Sequence, residues 1–161
     1  MSKRILVIGA SRGVGLQCLE QALDRGWTVH AMARSEPKGV GPHPRILPVL
    51  GDCRNPTLLD EGVMGVDAVI STIAVPPSLS EVKLFSEHMA ALLPAMKKAN
   101  VKRLILVTGL GAGDSRGHGG FFYDWIFFPL FLARMYADKD REEALVQASD
   151  VMAAMSGVVL G

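Results

Sequence analysis

A glycine-rich turn near the start of the chain constrains the fold more than any other sequence feature. The short apolar run from Arg4 to Ile8 ends directly in Gly9-Ala10-Ser11-Arg12-Gly13-Val14-Gly15. Apolar residues then recur at helical spacing from Val14 to Arg25, and Gly26 supplies a stop signal. Glycines between a strand and a helix let the backbone bend tightly and let a phosphate approach its amide groups without an intervening Cβ. The turn therefore predicts nucleotide binding, and the alternative is a generic tight turn.

The alternation of strands and helices continues along the chain. Further strands are predicted over Thr28–Ala33, Ile46–Leu50, Val66–Thr72 and Leu104–Val107. Helices are predicted from Asn55-Pro56 to about Gly62, behind a capping box at Ser78 and Glu81 with a kink at Pro94, and from about Pro129 to Ala148. This alternation predicts an α/β fold with a doubly wound parallel sheet, whose ligand crevice lies beyond the carboxyl ends of the strands. With no internal repeat and no linker, residues 1–161 are predicted to form a single domain.

Composition excludes several classes of function. The chain has 161 residues, is 49% hydrophobic and carries a formal net charge of +1. Since no run of like charge is longer than a pair such as Lys97-Lys98, we expect no nucleic-acid partner. Apolar runs too short to span a bilayer or to form a secretory signal predict no membrane association and a cytoplasmic location. Cys18 and Cys53 lack disulfide or metal-ligand spacing, and no metal site is predicted.

Several segments resemble a known family. The spacing of the glycines in residues 9–15 resembles the main branch of the short-chain dehydrogenases/reductases. Other segments are similar to the atypical branch, the NAD(P)H-binding group that includes NmrA-like proteins and the flavin and biliverdin reductases. These segments are Gly51-Asp52, Val66-Asp67-Ala68-Val69-Ile70, Val101-Lys102-Arg103-Leu104, Gly111-Ala112-Gly113-Asp114-Ser115-Arg116 and Ala137-Asp138-Lys139-Asp140-Arg141. The resemblance covers residues 4–150 and implies a Rossmann NAD(P)-binding fold and an oxidoreductase.

The residue after the second strand bears on which dinucleotide is bound. An NAD site usually has Asp or Glu there, which accepts a hydrogen bond from the ribose 2′-hydroxyl. This chain has Arg34 instead, and Arg12 in the glycine turn is a second guanidinium for the same region. Guanidinium groups suit the 2′-phosphate of NADP, which favours NADP, with NAD as the alternative if both arginines are merely solvated.

The resemblance also implies the remaining cofactor contacts. Asp52 and Cys53 correspond to the adenine edge of the site, although Cys53 alone also fits a small buried apolar residue. The segment Thr72-Ile73-Ala74 would pass beneath the ribose and the nicotinamide. The predicted cofactor-binding residues are Gly9, Ser11, Arg12, Gly13, Val14, Gly15, Arg34, Asp52, Cys53, Thr72, Ile73 and Ala74.

The main branch of the family uses a Tyr-x-x-x-Lys pair for proton transfer, and neither tyrosine here satisfies that spacing. The fourth residue after Tyr123 is a phenylalanine, while Tyr136 is followed by Lys139 on the same helix face but in a different register. Thr108 replaces the family's serine or is an ordinary strand-end threonine. The catalytic candidates are therefore Thr108, Tyr136 and Lys139.

The missing pair leaves two functions open. A flavin, a quinone or another small conjugated acceptor can take hydride directly from NAD(P)H, since the cofactor carries the difficult chemistry. The sequence predicts an NAD(P)H-dependent oxidoreductase with such an acceptor. The alternative is a non-catalytic NmrA-like dinucleotide-binding redox sensor that acts through a protein partner.

The last part of the chain departs from the family's pattern. Eight of the ten aromatic residues fall between Phe121 and Tyr136, behind a glycine-rich loop. They predict a hinged lid, a core segment or a homodimer contact through residues 121–136. After Asp150 the family continues into a sixth strand and a substrate lobe, whereas here only Val158 to Leu160 suggests a short strand. A natural short form, a truncation and a reading-frame change are all left open.

Overall fold

The computed structural model describes residues 2–37, 39–75, 81–109 and 133–158. Its strands are β1 Arg4–Ile8, β2 Thr28–Ala33, β3 Ile46–Leu50, β4 Ala68–Ser71, β5 Arg103–Gly109 and β6 Met152–Val158. Its helices are α1 Gly13–Asp24, α2 Pro56–Val63, α3 Leu84–Lys98 and α4 Ala133–Gln147. Within these ranges no helix is both long and apolar enough to cross a membrane.

The six strands form one parallel sheet in the order β3-β2-β1-β4-β5-β6. From β1 the chain moves outward to β2 and β3, then returns to the other side of β1 with β4. Ile8 at the end of β1 lies opposite Met32 on one side and Ser71 on the other. The winding direction therefore reverses between β1 and β4, which is the place where doubly wound folds have their ligand crevice, beyond the carboxyl ends of the strands. The predicted doubly wound fold is confirmed.

Burial of β1 on both faces explains why its sequence is an unbroken apolar run. Leu6 and Ile8 belong to the core on the side of α2 and α3, while Ile5 and Val7 belong to the core on the side of α1. All four side chains are at most 3% exposed. This central strand fixes the position of the glycine turn that follows it.

The sequence predicts the start of α2 correctly but not the start of α3. Asn55 Oδ1 accepts hydrogen bonds from Thr57 N at 3.0 Å and Leu58 N at 3.4 Å, which is the predicted cap of α2. The predicted start of α3 behind Ser78 and Glu81 is wrong, because the helix begins at Leu84. Ser78 itself lies outside the described residues.

The cap of α3 comes instead from a distant residue. The Asp138 carboxylate on α4 accepts a hydrogen bond from Phe85 N at 2.8 Å. A tertiary contact of this kind replaces the local cap that a capping box would supply. Beyond this start, the helix runs through Pro94 to Lys98.

The sixth strand corrects a second prediction. Only Val158 to Leu160 suggested a strand, yet β6 covers Met152–Val158 and pairs along the whole of β5. The alanine, serine and glycine residues of this segment have low strand propensity, so the backbone ladder to β5 outweighs local preference.

Residues 110–132 lie outside the described residues. The glycine-rich lid, the aromatic homodimer segment up to residue 132 and the Pro129 helix start therefore stay predictions.

Candidate functional site

The glycine turn is held against the end of β2. Gly9 N and Ala10 N both donate to the carbonyl oxygen of Met32, at 2.9 and 3.2 Å. Gly9 has φ +88° and Gly13 has φ +57°, both in the left-handed region that glycine adopts at little cost. The turn therefore needs glycine at these two positions for its backbone geometry.

Gly15 is required for a different reason. A Cβ on Gly15 would lie 2.5 Å from Thr72 Oγ1 and closer still to the carbonyl oxygen of Gly9. A Cβ on Gly9 would lie 2.7 Å from the same hydroxyl oxygen. Thr72 Oγ1 is itself fixed, since it donates to the carbonyl oxygen of Ile8 at 2.8 Å. Gly9, Gly15 and Thr72 thus form a close contact that packs the first turn of α1 onto the ends of β1 and β4.

The N-terminus of α1 has the electrostatic character of an anion site. Arg12 precedes the helix in an extended conformation, and its side chain makes no capping hydrogen bond. The first turn contains no acidic residue. Gly13 and Val14 are exposed, and a Cβ on Gly13 would meet no atom of the described residues within 4 Å. An uncapped helix N-terminus with open space beside it suits a phosphate, so the residues fit a dinucleotide pyrophosphate.

Arg34 and Asp52 lie close together, as the predicted site requires. Gly51 N donates to Ala33 O at 3.0 Å, which brings the loop after β3 next to the end of β2. Arg34 is exposed, and its charge helps to lower the pKa of Asp52. Among the described residues, the Arg34 and Arg12 side chains have no hydrogen-bond or ion-pair partner. As far as the described ranges show, the Arg34 guanidinium beside Asp52 and the Arg12 guanidinium at the start of α1 are therefore each available to an anionic ligand.

Cys53 is connected to the core through its backbone carbonyl, which contacts a buried histidine. His88 is fully buried; its Nδ1 lies 2.8 Å from the carbonyl oxygen of Cys53 and its Nε2 3.3 Å from Ser71 Oγ. Burial lowers the pKa of His88 to about 4, so the imidazole is neutral. We assign the proton to Nδ1, which donates to the carbonyl, while Nε2 accepts from the Ser71 hydroxyl.

The surroundings of the Cys53 thiol favour its protonated form. Burial, with the Asp52 charge as a smaller cause, raises the pKa of Cys53 to about 11. Its side chain packs against the core with Ile73, whereas Ala74 is exposed just beyond β4. A protonated, packed thiol fits a small apolar residue better than a nucleophile.

Of the three catalytic candidates, the structure describes the side chain of Lys139 only. Its Nζ donates to Val107 O at 3.3 Å and lies 4.2 Å from the centre of the Phe85 ring. Lys139 is 5% exposed, and burial lowers its pKa. Thr108 pairs with Gly157 in the sheet and Tyr136 belongs to α4, but both side chains lie outside the described part of the chain.

Two acidic residues of α4 were not found from the sequence. Glu142 Oε2 lies 3.9 Å from Lys139 Nζ, has no hydrogen-bond partner among the described residues and belongs to a side chain that is 1% exposed. Burial raises the pKa of Glu142 to about 7, and the Lys139 charge only partly offsets this effect.

The second acidic residue, Asp138, is fully buried. Besides Phe85 N, its carboxylate accepts from Ser86 Oγ, and it pairs with Arg141 Nη2 at 3.2 Å. The i, i+3 spacing of Asp138 and Arg141 was a visible signal, but their partners on α3 lie more than 50 residues earlier in the chain.

The strand order, the glycine turn and the uncapped helix together define a dinucleotide-binding domain. The model of the NAD(P)H-binding family matches residues 9–153, and the chain belongs to that family. The resemblance found in the sequence is therefore confirmed.

Individual relatives agree with this assignment. The photosystem II assembly factor Ycf39 of Synechocystis sp. is 30% identical over 115 residues, which cover 69% of this chain but only 35% of that protein. ChuY, an anaerobillin reductase from Escherichia coli O157:H7, superposes with a TM-score of 0.75 at 23% identity, over 95% of this chain and 71% of ChuY. A short-chain dehydrogenase/reductase from Veillonella parvula, solved in complex with NADP, gives 0.76 at 16% identity, over 96% and 68%. The two structures share the fold with this chain.

Proposed function

We propose that the chain is an NADPH-dependent oxidoreductase that delivers hydride to a small conjugated acceptor such as a flavin or a quinone. The observation that carries the proposal is the uncapped N-terminus of α1 behind the packed Gly9–Gly15 turn, with Arg34 at the end of β2 unpaired within the described part of the chain. Bound NADPH would supply the hydride. The residues of the chain would bind and orient the cofactor.

Charge supports NADPH over NADH. The backbone of residues 13–15 would hold the pyrophosphate, and Arg34 with Arg12 would hold the 2′-phosphate. A carboxylate at the position of Arg34, as in NAD sites, would repel that phosphate. The NADP bound to the structurally similar Veillonella protein agrees with this choice.

The state of Lys139 supports a conjugated acceptor over a simple carbonyl. Carbonyl reduction needs a proton donor, which the main branch of the family supplies with its Tyr–Lys pair. Here the Lys139 ammonium is buried against Val107 O and the Phe85 ring. Hydride transfer to a flavin or quinone needs no such donor in that register. The name of ChuY as an anaerobillin reductase fits a conjugated substrate for this kind of domain.

The burial of Lys139 also favours a second candidate function. If Lys139 serves packing alone, the chain is a non-catalytic dinucleotide-binding sensor that reports the bound state to a protein partner. Both candidates share the dinucleotide site, so turnover separates them.

The first experiment measures NADPH and NADH affinities by titration calorimetry for the wild type and Arg34→Asp. We expect NADPH to bind more tightly, and the substitution to reduce or reverse that preference by about tenfold, the size of a partly exposed charge-assisted contact. Lys97→Asp is the matched control, since it makes the same charge change on an exposed residue in the last turn of α3. Equal affinities that Arg34→Asp leaves unchanged would refute the NADPH assignment.

The second experiment follows NADPH oxidation with flavins, quinones and aldehydes as acceptors. Turnover with flavins or quinones and little with aldehydes is the expected result. Tight NADPH binding without turnover on any acceptor would refute the proposed oxidoreductase activity and favour the non-catalytic sensor.

A further inference from the structure

Arg54, a residue that the cofactor pattern of the sequence does not include, connects Asp52 to α3. Its Nε donates to Asp52 Oδ1 at 3.0 Å and its Nη2 to Asp52 Oδ2 at 2.7 Å, which is a two-pronged contact. Its backbone amide donates to Asp52 Oδ1 at 2.9 Å. Its Nη1 donates to Glu87 Oε2 at 3.0 Å in the first turn of α3. Every charged donor group of the guanidinium thus points to a carboxylate.

The charge of Asp52 presents a problem for the proposed cofactor. The hydrogen bonds from Arg54 are the main cause that lowers the pKa of Asp52 to about 2, so this carboxylate is ionised at neutral pH. It is also close enough to Arg34 for their charges to interact. A carboxylate beside the end of β2 is the feature by which NAD sites repel a 2′-phosphate. Uncompensated, Asp52 would therefore work against the phosphate that Arg34 attracts.

We propose that Arg54 is a specificity-determining residue that cancels the charge of Asp52, so that the adenosine end of the site tolerates both an acidic residue and a 2′-phosphate. The inference rests on the proposed function, because it concerns the same dinucleotide site. Three of the roughly four acceptor positions of the Asp52 carboxylate are used by Arg54, so one remains for a hydrogen bond from an adenine. The positive charge beside Asp52 offsets its repulsion of a nearby phosphate.

The contact with Glu87 gives the pair the rigidity that this role needs. The side chains of Arg54 and Asp52 are 46% and 47% exposed, and an isolated pair at such a surface is weak and easily exchanged with water. Two-pronged geometry and a second carboxylate from another element hold the guanidinium in one orientation. Glu87 thus acts as an anchor and Arg54 as the group that neutralises Asp52.

A double-mutant cycle tests the proposal with binding as its readout. NADPH and NADH affinities are measured for the wild type, Arg54→Gln, Asp52→Asn and the double variant. Adenosine 2′,5′-bisphosphate and AMP serve as probes of the adenosine end alone. Lys98→Gln is the matched control, because it removes one positive charge from an exposed ion pair with Asp60 at the other end of α3.

Arg54→Gln should weaken NADPH and the bisphosphate about fivefold, the effect of one unscreened charge near 4 Å in water, and NADH and AMP less than twofold. Adding Asp52→Asn should restore the preference for the 2′-phosphate, since the repelling charge is gone. Arg54→Lys should keep most of that preference because it keeps the charge. All these residues are exposed, so thermal denaturation should show folded variants.

Three results would overturn the inference. Equal losses for both dinucleotides in Arg54→Gln would make Arg54 a structural residue only. Unchanged affinities for both dinucleotides in Arg54→Gln would leave an ordinary surface ion pair. A wild type that binds neither dinucleotide would refute the proposed function and this inference together, a result distinct from the other two.

Discussion

Gly15→Ala is the substitution with the sharpest structural expectation. The added Cβ would lie 2.5 Å from Thr72 Oγ1 and 2.7 Å from the carbonyl carbon of Gly9. Ordinary contact begins near 3.4 Å, so each neighbour has to retreat by close to 1 Å. Neither neighbour is the free end of a flexible side chain, because one is backbone and the other is hydrogen-bonded to Ile8 O. The strain therefore moves the first turn of α1 away from the sheet.

The magnitude follows from overpacking. Extra atoms in a well-packed site lower the free energy of unfolding by about 1–3 kcal/mol. Because one of the neighbours is backbone, we expect Gly15→Ala to lower it by about 3 kcal/mol. In a domain of this size each kcal/mol lowers Tm by about 2–4 °C, which predicts a fall of about 6–12 °C. The displaced helix N-terminus should also weaken NADPH binding at temperatures where the variant is folded.

Gly13→Ala is the control for this prediction. A Cβ at Gly13 meets nothing within 4 Å, so only its φ of +57° opposes the substitution, at about 1–2 kcal/mol. Thermal denaturation followed by circular dichroism, with NADPH titration below the transition, compares the two variants. A Gly15→Ala protein as stable as Gly13→Ala or more so would show that α1 does not pack on Thr72 as described.

Three further expectations concern α4. Burial raises the pKa of Glu142 from 4.5 to about 7, so its contribution to stability is full below about pH 4.5 and is lost as pH rises through 7. Glu142→Gln should remove this loss, which Tm measurements between about pH 5 and pH 8 would show. A pH profile of Tm that Glu142→Gln leaves unchanged would refute the expectation. Asp138→Asn should cost about 1–2 kcal/mol in urea denaturation, because a buried charged cap becomes neutral, and a loss under about 0.5 kcal/mol would contradict the cap. Tyr136→Phe and Lys139→Ala should change turnover only slightly, whereas a 10²-fold or larger loss in kcat from Tyr136→Phe, the size expected of a general acid, would move the acceptor from flavins toward carbonyls.

The first half of the fold follows from the sequence because its signals are local. The predicted bounds of three strands, Arg4–Ile8, Thr28–Ala33 and Ile46–Leu50, agree with the structure. Strands buried on both faces need continuous apolar runs, and glycines mark where these runs end. The cap of α2 by Asn55 is equally local, since donor and acceptor lie within three residues.

The start of α3 and the extent of β6 do not follow from local signals. Asp138 caps α3 from more than 50 residues away, so no pattern near Leu84 announces it. The strand Met152–Val158 is set by its ladder to β5, while its alanine and glycine residues have low strand propensity. Tertiary contacts overrule propensity in both places.

The residues of the candidate site also differ in whether a local sequence pattern or only the folded structure points to them. Arg34 could be predicted as a cofactor contact because the cofactor pattern counts along the sequence from the glycines to the end of β2. Arg54 could not, because its role depends on a side chain that reaches both Asp52 and Glu87. His88 was equally hidden, since only the fold shows that it is buried between Ser71 and Cys53.

A series of long-range contacts connects α4 to the adenosine end of the proposed site. Asp138 on α4 binds the first turn of α3 through Phe85 N and Ser86 Oγ. The next residue of that turn, Glu87, holds Arg54, and Arg54 holds Asp52 at the adenosine end of the proposed site. A change in the docking of α4 is therefore expected to move Glu87, the anchor of Arg54. Because the Arg54 pair is half exposed and depends on that anchor, loss of the Asp138 cap should lower the preference for the 2′-phosphate more than the affinity for the rest of the dinucleotide.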